Sequence, residues 1–238
     1  MMHQAQMLFL VTGKCNMACP HCAQWWWRKD HIDYHMTPDE IRTICRRVKE
    51  LGLHFVQALI MGGEPALWKH LEEGCRVIRD SGAFNQIHIY SNCKYPDPVI
   101  ALLDKGLADR VAVQVINMSP DGILRFWEKH AHQMDITQQA THKIHPDKPV
   151  AGALPARCGC DQITVFNGQV WSCPGAYHNT KRMGLDVDKP KLYMSVEEDW
   201  YSYFNAMNRY VIPACAGCLA NGNVWDVAVN GSKPGELT

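Results

Sequence analysis

The sequence predicts an α/β protein: a parallel sheet of about five to six strands, then a small cysteine-rich unit built from a β-hairpin and a helix. Three observations carry that expectation. Short apolar runs alternate with helix-periodic segments through about the first two thirds of the chain, the grammar of strand–helix–strand crossovers. Helix start and stop signals fall between the runs, where a crossover needs them. Past residue 155 the alternation gives way to an Asn-Gly hairpin flanked by cysteines. The expected division is therefore a core over residues 1–155, a second unit over 156–222 and a tail over 223–238.

Met7–Thr12 is apolar almost throughout and reads as a buried strand. Thr37-Pro38-Asp39-Glu40 is a capping box with proline at the first helical position. Ile41, Ile44, Cys45, Val48 and Leu51 follow at helical spacing, and Gly52 stops the helix. Phe55–Met61 is the second strand, closed by Gly62-Gly63, and a helix is expected from about Leu67 to Ser81, ended by Gly82. Gln86–Tyr90 is a third strand, Asp97-Pro98 opens another helix, and Asp109–Ile116 is a fourth strand. Ser119-Pro120 begins a further helix through about His132. Strand–helix units in series imply parallel strands with right-handed crossovers.

The stretch Gln133–Pro149 is polar and His-rich and reads as a loop or short irregular helix, with a fifth strand at Val150–Leu154. Ile163–Phe166 and Gln169–Ser172 flank Asn167-Gly168, a hairpin signal because Asn-Gly supplies the positive φ angles of a tight turn. A last helix opens at a second capping box, Ser195-Val196-Glu197-Glu198, with Trp200, Phe204 and Met207 on one face.

Composition narrows the function classes. Lys plus Arg and Asp plus Glu stand at 24 each, so no net charge drives the chain onto nucleic acid or anionic lipid. The apolar runs are too short to span a bilayer, and Met1–Gln6 lacks the features of a secretory signal. A cytoplasmic location is the expectation, and in that compartment 11 cysteines do not form a disulfide framework. Cys45 and Cys75 fall on apolar helix faces and read as core filler, while Cys93, after a strand end, is left open. The others form two groups, Cys15/Cys19/Cys22 and Cys158/Cys160/Cys173/Cys215/Cys218, and such grouping points to metal.

The first group has the spacing Cys-x3-Cys-x2-Cys, which offers three thiolates and no fourth. Iron–sulfur cubanes take four ligands, so this loop leaves one iron open to chemistry. Zinc is the alternative; it wants four ligands, and His21 lies between Cys19 and Cys22. The second strand ends in Gly62-Gly63-Glu64-Pro65, where bare backbone lets a ligand approach and Glu64 with exposed carbonyls can accept from an ammonium group. Both motifs fall at carboxyl ends of strands, where parallel sheets bind their ligands.

Together these motifs resemble the radical S-adenosyl-L-methionine (SAM) enzymes, over roughly residues 7–220. The resemblance implies a partial (β/α) TIM-like barrel. It also implies a [4Fe-4S] cluster on Cys15, Cys19 and Cys22, with the open iron chelated by SAM. His21 falls where that family places an aromatic ring by the adenine. Gly62, Gly63, Glu64 and Pro65 match its GGEP motif, and Ser91-Asn92 resembles its ribose-contacting position. Gln114 and Asn117, on or after the fourth strand, are further ligand-facing candidates. Cys173, Cys215 and Cys218 with Cys158 or Cys160 resemble the twitch subdomain, the shortened SPASM extension, which carries one auxiliary [4Fe-4S] cluster. Structural zinc is the alternative there, because paired cysteines across a hairpin are also zinc-ribbon grammar. Arg157 is a candidate substrate contact.

By that resemblance, SAM is cleaved to a 5′-deoxyadenosyl radical that abstracts hydrogen, with electrons from a donor such as flavodoxin or ferredoxin. The cysteine loop begins at residue 15, so no preceding peptide-recognition domain is expected, and the barrel reads as abbreviated; these traits resemble the twitch-bearing alcohol dehydrogenases, which implies net oxidation of a small polar metabolite such as a sugar or cyclitol alcohol. Maturation of a peptide or protein (cross-link, epimerisation or activation) is the second reading. A non-catalytic zinc- or cluster-stabilised binding module is the third. Trp25-Trp26-Trp27 cannot all face one way on a regular element, and His130, His132, His142 and His145 read as solvent-exposed.

Overall fold

In the computed structural model, residues 6–19, 22, 24–114, 124–125, 128–137, 162–171, 177, 181 and 193–200 are described. Strands β1 (Gln6–Thr12), β2 (Phe55–Gly62), β3 (Phe84–Ser91), β4 (Arg110–Gln114), β5 (Met134–Thr137), β6 (Gln162–Phe166), β7 (Gln169–Trp171) and β8 (Tyr193–Ser195) form one open sheet. Its order is β5-β4-β3-β2-β1-β6-β7-β8. The run from β5 to β6 is parallel, and β7 and β8 extend it antiparallel. Helices α1 (Trp25–Asp30), α2 (Pro38–Glu50), α3 (Leu71–Ser81) and α4 (Asp97–Asp104) lie between the strands in the chain. This is the parallel α/β architecture the sequence predicts, with six parallel strands.

Register and the two-residue alternation of strands divide the sheet into two faces. One is apolar: Phe9, Ile60, Ile89, Val111 and Val165 are all buried. Right-handed crossovers lay helices on such a face, and α2 and α3 bring Ile41, Ile44, Cys45, Val48, Cys75 and Ile78 into the same core. Each fully buried Ile or Leu contributes about 1.5–3 kcal/mol. The other face is polar at the amino ends of the strands. Gln162, Gln6, Gln57 and Gln86 share one register level. Their amides link across the strands: Gln162 to Gln6, Gln6 to Gln57 at 2.6 Å and Gln57 to Gln86 at 3.5 Å.

Local signals explain the element ends. Thr37 Oγ1 accepts from the Glu40 N–H at 3.2 Å while the Glu40 carboxylate accepts from the Thr37 N–H at 2.7 Å, the expected capping box. Helix α3 starts at Leu71 rather than Leu67, because Pro65–Leu67 forms a 3-10 turn and Trp68 leaves the helical region at ψ 115°. The Trp68 ring is buried, and its Nε1 donates to the Met36 carbonyl at 2.8 Å. Gly74 makes room for that ring: a Cβ there would lie 2.0 Å from it. Asn167 and Gly168 take φ 49° and 66° in the β6–β7 hairpin, as the Asn-Gly signal requires.

Beyond the late start of α3, further findings differ from the sequence reading: α1 and β8 are elements it did not include, and Ser195, read as opening a helix, ends β8. Met134–Thr137, inside the stretch read as loop, is strand β5; four residues with one charge give too short an alternation to detect. His130, read as exposed, is 6% exposed and bonded to Gln133 and Asp104 at 2.8 and 3.2 Å. The hairpin is continuous with the main sheet, since β6 pairs in parallel with β1. Cys45 and Cys75 are buried as expected, their thiols pushed up by burial to about 11 and 12. The start of the helix after Ser119-Pro120, the strand at Val150–Leu154, and Phe204 and Met207 lie outside the described residues.

Candidate active site

The cysteine loop leaves β1 at Thr12 and is pressed against the end of β2 by glycines. The Gly63 N–H donates to the Thr12 carbonyl at 2.6 Å, and the Glu64 N–H to the Lys14 carbonyl at 2.8 Å. A Cβ on Gly63 would lie 1.9 Å from the Lys14 carbonyl oxygen, so no other residue fits there without moving backbone. Gly62 has φ 135°, a region L-residues avoid, and faces Thr12 and the Trp27 ring. Gly13 is equally tight, its Cβ position 1.8 Å from the His31 carbonyl oxygen. The diglycine turn thus admits the chain's own cysteine loop, a reason for glycine that the sequence alone does not disclose.

Glu64 fastens the end of β2 to the end of β3. It is 1% exposed, and its carboxylate accepts from the Ser91 hydroxyl at 2.8 Å, the Asn92 N–H at 2.8 Å and the Ala66 N–H at 3.0 Å. Burial raises its pKa, and those three donors act against the rise. The Ser91 hydroxyl also accepts from the Cys93 N–H at 3.0 Å, so it is spent within the protein. Cys93 follows in the left-handed region at φ 56°, buried, with its thiol pushed up to about 12 by burial. Asn92 carries the connection onward: its Nδ2 donates to Asn16 Oδ1 at 2.7 Å and lies 4.0 Å from Cys15 Sγ. Asn16 Nδ2 is buried without a partner.

Cys15, Cys19 and Cys22 are half-buried thiols, unbridged by disulfides. Burial raises Cys15, and the Arg28 guanidinium lowers it in part. Burial also raises Cys19, followed by the neighbouring charges of Cys22 and Cys15. The three sulfurs therefore feel one another, and three thiolates packed together call for a compensating cation. Arg28 supplies one: it reaches Cys22 Sγ at 3.6 Å and the Met17 carbonyl at 3.1 Å. Behind it Trp27 is fully buried and stacks on His31 at 5.3 Å, so that member of the tryptophan run is core.

Of the predicted site residues, Cys15, Cys19, Cys22, Gly62, Gly63, Glu64, Pro65, Ser91 and Asn92 meet at the carboxyl ends of β1, β2 and β3. Gln114 closes β4 at the register level of Thr137. His21, Asn117, Arg157, Cys158, Cys160, Cys173, Cys215 and Cys218 lie outside the described residues. Asn16 and Arg28 belong to the site and were missed. Asn16 stands within the cysteine spacing, a position with no required residue type, and Arg28 carries no sequence signal at all.

The profile of the radical SAM superfamily matches residues 9–150. A probable GTP 3′,8-cyclase of Methanothermobacter marburgensis is 34% identical over 115 residues, 47% of this chain and 35% of that protein. The chain thus spans about a third of the length of that curated relative. Among solved structures, BtrN in complex with AdoMet and 2-DOIA is similar at TM-score 0.62 and 14% identity, over 90% of this chain and 92% of that one. Native anSMEcpe with bound AdoMet is similar at TM-score 0.52 and 12% identity, over 95% and 89%. At such identities the likeness is one of fold, a partial TIM-like barrel. The superfamily profile covers more than half of the sequence, and the chain belongs to the radical SAM superfamily.

Proposed function

We propose that the protein is a radical SAM enzyme that oxidises a small polar metabolite, such as a sugar or cyclitol alcohol, with Cys15, Cys19 and Cys22 holding the [4Fe-4S] cluster. The observation that carries this reading is the joining of the cysteine loop, the Gly62–Pro65 turn and the β3 end through Glu64 and Asn92. The donor set fits the cluster. The three thiols lie within electrostatic reach of one another and Arg28 offsets their charge. Asn16 Nδ2 is buried without an acceptor, a deficit costing about 1–3 kcal/mol that a cluster sulfide or a carboxylate oxygen relieves.

When bound, the cluster and SAM supply a 5′-deoxyadenosyl radical that takes a hydrogen atom from the substrate. The chain's part is to bind and orient. Glu64 is occupied by protein donors, so the ammonium group of SAM is left to backbone carbonyls of the Gly62–Pro65 turn. Asn92 rather than Ser91 is the β3-end residue with a half-buried amide beside the loop. In this reading Gln114 and Asn117 are further SAM contacts, and His21 stands for the family's adenine-side ring.

The substrate class rests on the polar face. Tyr90, Ala112 and Asp135 share a register level one residue before Ser91, with His88 and Arg110 one step lower. Arg110 and Asp135 form a two-bond pair, each about 40% exposed (40% and 39%). That surface offers donors and acceptors to hydroxyl groups. Residues 156–222 form the auxiliary unit in this reading, with one [4Fe-4S] cluster on Cys173, Cys215, Cys218 and Cys158 or Cys160, and Arg157 beside the substrate. A flavodoxin or ferredoxin supplies the electron.

The test is 5′-deoxyadenosine release by the anaerobically reconstituted protein, with a low-potential reductant, against polyols and against peptides. Release stimulated by polyols, with a carbonyl product, is the expected result. Stimulation by peptides alone sinks the metabolite reading in favour of peptide maturation, and no SAM cleavage at all makes the chain a binding module.

A further inference from the structure

We infer that Arg28 is a positioning residue for the cluster's electron affinity: its guanidinium, fixed beside the Cys22 sulfur, makes the cluster easier to reduce. The inference rests on the assignment of Cys15, Cys19 and Cys22 as cluster ligands. Its own support is geometric. Arg28 divides its fork between Cys22 Sγ at 3.6 Å and the Met17 carbonyl at 3.1 Å, so it grips the cysteine loop at two points. Among the described residues no carboxylate pairs with it, and its Nε is buried without a partner, so its charge is directed at the loop.

The helix that carries it is anchored. Trp27 is fully buried, stacked on His31 at 5.3 Å and edge-on to Phe166 at 5.6 Å, so the arginine one residue later has little freedom to swing away. Reduction of a [4Fe-4S] cluster adds one electron and one unit of negative charge. A fixed cation and an N–H donor at a ligand sulfur both favour the more negative state, and both raise the potential. The tryptophan run gains a purpose in the same stroke: Trp27 is the weight that holds the guanidinium in place.

The experiment compares wild type with R28Q and R28K, each reconstituted anaerobically as the full chain. Iron is counted first, then the midpoint potential is read by EPR-monitored titration without SAM. R28Q is expected to bind the same iron and to show a reduced-to-oxidised ratio about tenfold lower at a fixed potential, about 59 mV for a one-electron couple. R28K keeps the charge and is expected to fall between R28Q and wild type. Full iron with an unmoved potential in R28Q overturns the inference and leaves Arg28 a brace. An R28Q protein that binds no iron also overturns it, making Arg28 an assembly residue. Wild type that binds no iron is a different failure, that of the cluster assignment itself.

Discussion

Glu64 illustrates how one residue's role changes between sequence and structure. In the sequence it is the carboxylate of a strand-end motif, available to a ligand's ammonium group. In the structure it is 1% exposed and holds Ser91, Asn92 and Ala66 by hydrogen bonds, joining β2 to β3 under the cysteine loop. Glu64→Ala strands the buried Ser91 hydroxyl and two half-buried N–H donors and is expected to cost about 1–3 kcal/mol. The urea midpoint of the full chain, compared with wild type at unchanged m-value, measures it. An unaltered midpoint means the carboxylate fastens nothing. Ser91 follows the same logic, since its hydroxyl both donates to Glu64 and accepts from Cys93.

At the scale of elements, the site is an agreement between two loops that touch through bare backbone. The turn after β2 fits against the start of the cysteine loop only because position 63 has no side chain. Its would-be Cβ meets a backbone carbonyl at 1.9 Å, and backbone cannot rotate out of the way as a flexible side chain can. Gly63→Ala is therefore expected to separate the loop from the turn at a cost of about 1–3 kcal/mol. The apolar core lies below and is untouched, so far-UV circular dichroism stays native while iron uptake falls severalfold. Retention of full iron shows that the loop tolerates the separation. Helix α3 makes the parallel point for packing: it begins late because Trp68 turns inward beneath Gly74.

For the whole molecule, the decisive pairing is β1 with β6. Residues Met7 to Val11 are 0–1% exposed on both faces of the sheet, and β1 lies between β2 and β6. A chain cut after residue 155 loses β6, β7 and β8 and leaves β1 as a bare apolar edge, a template for aggregation. Such a fragment is expected to be insoluble or to elute as aggregate in size-exclusion chromatography. A monomeric, folded fragment proves that the first two thirds stand alone. Among the described residues, no helix is long and apolar enough to cross a membrane.

The sequence by itself determined the strand–helix alternation, the caps at Thr37 and Gly82, the Asn-Gly hairpin and the two motifs that place the site at strand ends. All of these are local: a cap, a turn or an apolar period is written within a few consecutive residues, and local sterics and burial decide it. Tertiary structure alone decided the parallel pairing of β6 with β1, the strand at Met134–Thr137, the occupation of Glu64 by protein donors and the approach of Arg28 to Cys22. Those depend on which segments meet across long stretches of chain. Hydrogen-bond partners, close backbone contacts and the charges around a sulfur exist only after the chain has closed on itself.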